Sequence, residues 1–194
     1  MKEICVHGHF YQPTRVNPWT DVLEPQPSAA PFRDWNERVA FECYAPNMAA
    51  RLLDADGQVR ATRNNYAGIT FDIGPTLLSW IAAERPVILE GLRVADRRSQ
   101  RRFGRGSAIA QPYHHPILPL CDAQDRDLEI RWGLDAFERC FGRPSEGLWL
   151  PETAVDTATL IACAEAGVEF VVLSAQQIEA IRGPGATAWQ AADT

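Results

Sequence analysis

A chain of 194 residues is long enough for one domain with a sizeable core. At 46% hydrophobic and 23% charged, its composition is that of an ordinary globular protein rather than a disordered or fibrous one. A net charge of −6 argues against a nucleic-acid partner, and no apolar run approaches the roughly eighteen residues of a membrane span. Cys5, Cys43, Cys121, Cys140 and Cys163 are scattered, with no pair at the two-residue spacing of a zinc knuckle or redox motif, which fits a reducing compartment. The opening MKEICVHGHFYQP enters a strand-like run without the apolar core of a signal peptide, so a cytoplasmic location is expected.

In chain order, the first predicted strand is Ile4 to His7, followed by His9, Gln12 and Pro13. A long Pro-rich connection (17–37) is too irregular for one element and too aromatic for a plain linker. Asn47 to Leu53 reads as a helix end stopped at Asp56-Gly57. Tyr66 to Ile73 is the second strand. Gly74-Pro75 then opens a helix through Ala83, with proline at a first helical position. Residues 86–98 carry a further helical pattern, and DRRSQRRFGRG (96–106) sets five arginines at its end, read as a solvated helix terminus or loop rather than a polyanion site. Ser107 to Gln111 is the third strand, and the prolines of PYHHPILPL forbid regular structure after it. Asp125 to Phe141 is the clearest helix, with Ile130, Leu134, Phe137 and Phe141 on one face and Gly142 as its stop. Leu148 to Leu150 is the fourth strand. Asp156 caps a helix to Gly167, and Phe170 to Leu173 is the fifth strand. Residues 183–194 read as a loose tail, with no helix to cover strand five, which suggests a truncated chain.

Alternation of strands and helices predicts an α/β fold with a parallel sheet, either a barrel or an open doubly wound sheet, and in both the chemistry lies at the C-terminal strand ends. The unusual polar residues gather there: His7 and His9, Asp72, His114 and His115, and Glu152. A four-histidine metal site is disfavoured, because adjacent His114 and His115 point apart; one or two histidines as hydrogen-bonding groups in a pocket are expected. TFDIGP (70–75) resembles the first motif of metal-dependent polysaccharide deacetylases, but Ile73 stands where a second aspartate would be, and no matching histidine pair follows. Asp72 alone reads as a carboxylate capping the helix at Gly74-Pro75. Phe10, Tyr11, Trp19, Trp35, Tyr113 and Trp149 lie in strand-end loops, and flat rings beside polar groups suit the faces of sugars.

HGHFYQP (7–13), ITFDIGPTLL (69–78), HHPILPL (114–120) and GLWLPETAVD (147–156) together resemble the N-terminal part of glycoside hydrolase family 57, in its bacterial branch where a domain of unknown function follows. The resemblance implies an incomplete, seven-stranded (β/α) barrel, of which this chain would hold the first five βα units. It implies a retaining enzyme of α-glucan metabolism acting on oligo- or polysaccharide, with no cofactor or metal and no nucleic-acid or membrane partner. Glu152 matches the nucleophile of the Trp-Leu-x-Glu motif. His7, His9, Gln12, Asp72, His114, His115 and Trp149 form the expected substrate-binding set. The match departs where Phe10 and Tyr11 stand between His9 and Gln12-Pro13. The acid/base partner of Glu152 is expected from an aspartate beyond residue 194, leaving this chain inactive alone. Two alternatives are a deacetylase-like enzyme and a non-catalytic sugar-binding module.

Overall fold

The computed structural model describes residues 4–185, 187–188 and 190–191. Strand β1 (His7–Phe10) begins where the predicted strand ends, because the backbone pairing starts at His7 opposite Thr70 and Ile4 lies in solvent. The shift matters for the site: His7 and His9 do not follow the strand but sit inside it, two residues apart on one face.

The Pro-rich connection ends in helical structure that no sequence signal had marked. Asp34 accepts a bond from the Glu37 backbone and caps α1 (Trp35–Val39), which runs through one π-helical turn (Ala40–Tyr44) into α2 (Ala45–Met48). The helix end expected over 47–53 is corrected. Strands β2 (Ala50–Leu53) and β3 (Val59–Arg63) form an antiparallel hairpin whose turn is held by the Asp54 carboxylate on the amides of Asp56 and Gln58, with Gly57 at φ +75°. Asp56-Gly57 was thus a hairpin signal, not a helix stop.

Strand β4 (Thr70–Ile73) leads into α3 (Pro75–Glu84), as the Gly-Pro boundary predicts. Asp72 lies within β4 and gives no side-chain cap to α3, so the capping expectation is corrected. Helix α4 (Pro86–Phe103) extends through most of the arginine run and stops at Gly104 in the left-handed region. Arg97 pairs with Glu90 and Arg105 with Glu169, while Arg98 and Arg102, one turn apart, line an open cavity of about 620 Å³ beside β3. The run is a solvated helix end, as expected. Strand β5 (Ala108–Ile109) is tied to α4 by a buried fork: Arg143 holds Asp96 through Nε (2.9 Å) and Nη2 (2.8 Å), and Asp96 accepts from the Ala108 amide. Helix α5 (Ala123–Phe141), strand β6 (Gly147–Leu148), α6 (Thr157–Glu165) capped by Asp156, and β7 (Phe170–Val171) complete the alternation. Within 183–194, Gln190–Ala191 turns back to pair with Ala180–Ile181; the rest of the predicted loose tail at 186, 189 and 192–194 lies outside the described residues.

Strands β1, β4 and β5 pair in parallel, a bridge from Ala110 to Leu148 carries the sheet to β6, and β6 pairs in parallel with β7. Each parallel strand therefore neighbours the next one along the chain, and the C-terminal strand ends share one rim. Phe71, Leu77, Leu78, Ile81, Leu92, Ile130, Leu148 and Leu150 form the buried layer between sheet and helices.

One glycine fixes how close α5 lies to that rim. Gly133 is in mid-helix, where glycine costs about 1 kcal/mol relative to alanine. A Cβ at this position would meet the Gln111 backbone oxygen at 2.1 Å. Gly133→Ala is therefore expected to destabilise by about 1–3 kcal/mol despite its better helix propensity, because the helix must lift off the strand end. The midpoint of urea unfolding reads this directly; a stabilised variant would show that the contact is not tight.

Candidate active site

The site is built on four neighbouring parallel strands, β1, β4, β5 and β6, and the loops that follow the last two. Across β1 and β4 the register sets His9 opposite Asp72, so their side chains emerge side by side on one face. Asp72 is fully buried and accepts from His7 Nε2 at 2.9 Å through one oxygen, and from His9 Nδ1 at 2.8 Å and Gln111 Nε2 at 2.6 Å through the other. His7 Nδ1 lies 2.9 Å from the Thr70 hydroxyl. A buried carboxylate is stable only with such partners. Both its oxygens are engaged by N–H groups, and among the described residues no three His, Cys, Asp or Glu side chains converge as a metal site.

Above this clamp the rings stack. Tyr11 lies on His115 (centroids 4.0 Å apart, 16° between planes), His115 on His9 (5.1 Å, 18°), and His9 on Trp149 (4.7 Å, 18°), which also covers His7 (5.1 Å, 8°). The indole N–H of Trp149 is buried without an acceptor. The result is a column of aromatic and imidazole rings packed face to face.

Glu152 stands beside this stack. Its side chain is 73% exposed and its Oε1 lies 3.8 Å from His115 Nε2, too long for a hydrogen bond. The backbone here is strained: His115 (φ 60°), Glu152 (φ 56°) and Thr153 (φ 52°) all occupy the left-handed region that non-glycine residues avoid. Three of the four such residues in the described chain thus lie in two loops beside one carboxylate, the pattern expected where a fold holds side chains for function.

His115 titrates below the ordinary imidazole value. Its burial and the neighbouring His9 push it down, against the opposing pull of Asp72 and Glu152. The folded state therefore binds its proton less readily than the unfolded state does. The stability this contributes is complete above the unfolded value near pH 6.5 and is lost as the pH falls below it toward the depressed folded value. His115→Gln is expected to flatten that part of the stability–pH curve, measured by denaturant titration across pH 5–8. An unchanged curve would show that His115 is not the group responsible.

The structure brings together His7, His9, Asp72, His115, Trp149 and Glu152 of the predicted set. His114 turns outward, its ring Nδ1 2.7 Å from Glu129 on α5. The Gln12 side chain bonds Arg15. Of the aromatics, Phe10 packs on Tyr44 and Tyr66 in the core, Trp35 lies under Arg38, Tyr113 packs edge-on against Trp132, and Trp19 is in solvent. Sequence reasoning missed Gln111, whose signal was a polar residue at the end of the third apolar strand.

The chain is thus an α/β protein whose parallel sheet gathers unusual polar residues on one side, the arrangement in which such folds hold their sites. The chain matches the model of glycosyl hydrolase family 57 over residues 11–181 and belongs to that family. It is 30% identical to alpha-amylase 1 of Dictyoglomus thermophilum over 97 residues, 50% of this chain and 13% of the amylase. It is also 30% identical to the 4-alpha-glucanotransferase of Thermococcus litoralis over 100 residues, 52% of this chain and 14% of that enzyme. The crystal structure of the Thermococcus litoralis enzyme resembles the fold with a TM-score of 0.58 at 18% identity, covering 88% of this chain and 22% of the other. An exo-type maltose-forming amylase from Pyrococcus sp. ST04 gives 0.59 at 16%, covering 93% and 30%. The matched region is thus about one seventh of the length of these curated relatives.

Proposed function

We propose that this chain is the first five βα units of an incomplete (β/α)7 barrel, spanning 1–194, whose whole protein is a retaining enzyme acting on α-glucans. The sequential parallel order of β1, β4, β5, β6 and β7 supports the barrel form. The observation that carries the functional reading is Glu152: an accessible side chain held on a strained turn beside a stack of aromatic and imidazole rings. Glu152 is the nucleophile. It attacks the anomeric carbon, the glycosidic bond breaks, and a glycosyl-enzyme forms while a second carboxyl group about 5–5.5 Å away protonates the leaving oxygen. Water or a sugar hydroxyl then releases the glycosyl group, giving hydrolysis or transfer. Asp72 is not that second group in this reading, since it is sealed from solvent with both oxygens engaged. His7, His9, His115 and Trp149 line the sugar subsite; His114 and Gln12 reach substrate only by leaving Glu129 and Arg15.

The five unpaired cysteines support a cytoplasmic protein, and among the described residues no helix is long and apolar enough to cross a membrane. On the resemblance of its four motifs the chain is assigned to the family's bacterial branch with a following domain of unknown function, and the departure at Phe10-Tyr11 bears on the reach of Gln12. The test is α-glucan turnover by the whole protein with Glu152 replaced: loss of turnover with retained sugar binding supports the nucleophile, and near-wild-type turnover ends it.

A further inference from the structure

Gln111 is 1% exposed and sits between Asp72 and His115 at the centre of the site. One end of its amide faces two acceptors, the Asp72 carboxylate at 2.6 Å and the Phe10 carbonyl at 3.2 Å. A backbone carbonyl can only accept, so that end must be the NH2 whatever the protonation of Asp72. The other end is then the carbonyl oxygen, and it lies 2.7 Å from His115 Nδ1. An amide oxygen can only accept as well, so Nδ1 of His115 must carry the proton. In the neutral ring this leaves Nε2 bare, and Nε2 is the atom that faces Glu152 at 3.8 Å.

From this chain of directional bonds we infer that Gln111 is a positioning residue that fixes His115 as its Nδ1–H tautomer, so that the imidazole beside Glu152 offers that carboxylate no hydrogen-bond donor. The order runs from Phe10 and Asp72 through Gln111 to His115, each link set by the one before. The consequence rests on the reading of Glu152 as nucleophile. A donor hydrogen-bonded to a carboxylate lowers its basicity and must be shed before the oxygen can attack. With the other tautomer His115 would be that donor; with this one Glu152 stays unencumbered while the ring still stacks between Tyr11 and His9. The groups facing His115 are Tyr11 and His9 from β1 and its exit, Asp72 from β4, Gln111, and Glu152.

The tautomer is read without any activity measurement. The chain has four histidines, so long-range proton–nitrogen spectra at pH 8 can be assigned by single substitutions. His115 is expected with its proton on Nδ1 in the wild-type chain. Gln111→Met removes the acceptor at similar volume and is expected to move the proton to Nε2, whereas Gln111→Glu, entering as the neutral acid with its O–H on Asp72, keeps an acceptor oxygen toward His115 and is expected to preserve Nδ1–H. A wild-type His115 protonated on Nε2 overturns the proposal, even if neither variant folds; so does an unchanged tautomer in the methionine variant. Failure of Glu152 as nucleophile is a separate result, read from turnover, and leaves the tautomer assignment standing.

Discussion

Asp72→Ala is expected to destabilise the chain by about 3–5 kcal/mol at neutral pH, among the largest losses available to a single polar substitution. The reason is the number of donors that share this carboxylate. His7 Nε2, His9 Nδ1 and Gln111 Nε2 all end on it, and the carboxylate they share is fully buried. Each buried donor without an acceptor costs about 1–3 kcal/mol, and the three losses do not simply add because His7 can relax toward Thr70. Asp72→Asn separates charge from geometry. The amide oxygen can keep His9 and Gln111, while the NH2 meets His7, which accepts by moving its proton to Nδ1 and onto the Thr70 hydroxyl. A loss of only about 1 kcal/mol is expected for the amide. Urea titrations of the three proteins decide it. An alanine loss below 1 kcal/mol would mean that the clamp is not structural, and equal losses for both variants would mean that the charge rather than the acceptor geometry holds it.

That clamp marks the boundary of what was legible in the sequence. Helices α3, α5 and α6 were readable because each carries its own punctuation: Pro75, the glycine stop at Gly142, and the Asp156 cap. Glu152, His114 and His115 were readable as residues just past strands because parallel sheets place chemistry there, whereas His7 and His9 proved to lie inside β1. Strand β1 was misplaced by three residues, since which four residues of an apolar-polar run enter a sheet depends on the partner strand rather than on the run itself. The same dependence hid Gln111. Strands β5, β6 and β7 are only two residues long, so their edges carry no periodicity, and a glutamine just past one of them looks like any loop residue until Asp72 and His115 are seen on either side of it. The hairpin at 50–63 was lost to a local ambiguity, because Asp-Gly ends helices and turns hairpins alike.

The second large effect concerns Glu152 and uses the backbone strain to separate function from stability. Glu152→Gly in the whole protein is expected to lower α-glucan turnover by on the order of 10⁴-fold or more, the range seen when a covalent nucleophile is removed, which corresponds to about 5 kcal/mol of transition-state stabilisation. Sugar affinity is expected to change by only a few-fold, because the ring stack of Trp149, His9, His115 and Tyr11 is untouched. Stability should move the opposite way. A non-glycine residue at φ 56° costs about 1–2 kcal/mol, and glycine relieves that cost while adding some entropy to the unfolded chain, for a net gain of about 0.5–1 kcal/mol. Glu152→Ala removes the carboxylate but keeps the strain, so it should lose turnover equally with no gain in stability. A pair of variants that are equally inactive but differ in stability would indicate that the strained turn persists because a carboxylate is needed there. Active variants would remove Glu152 from the reaction, and an unstrained alanine variant as stable as the glycine one would remove the strain argument.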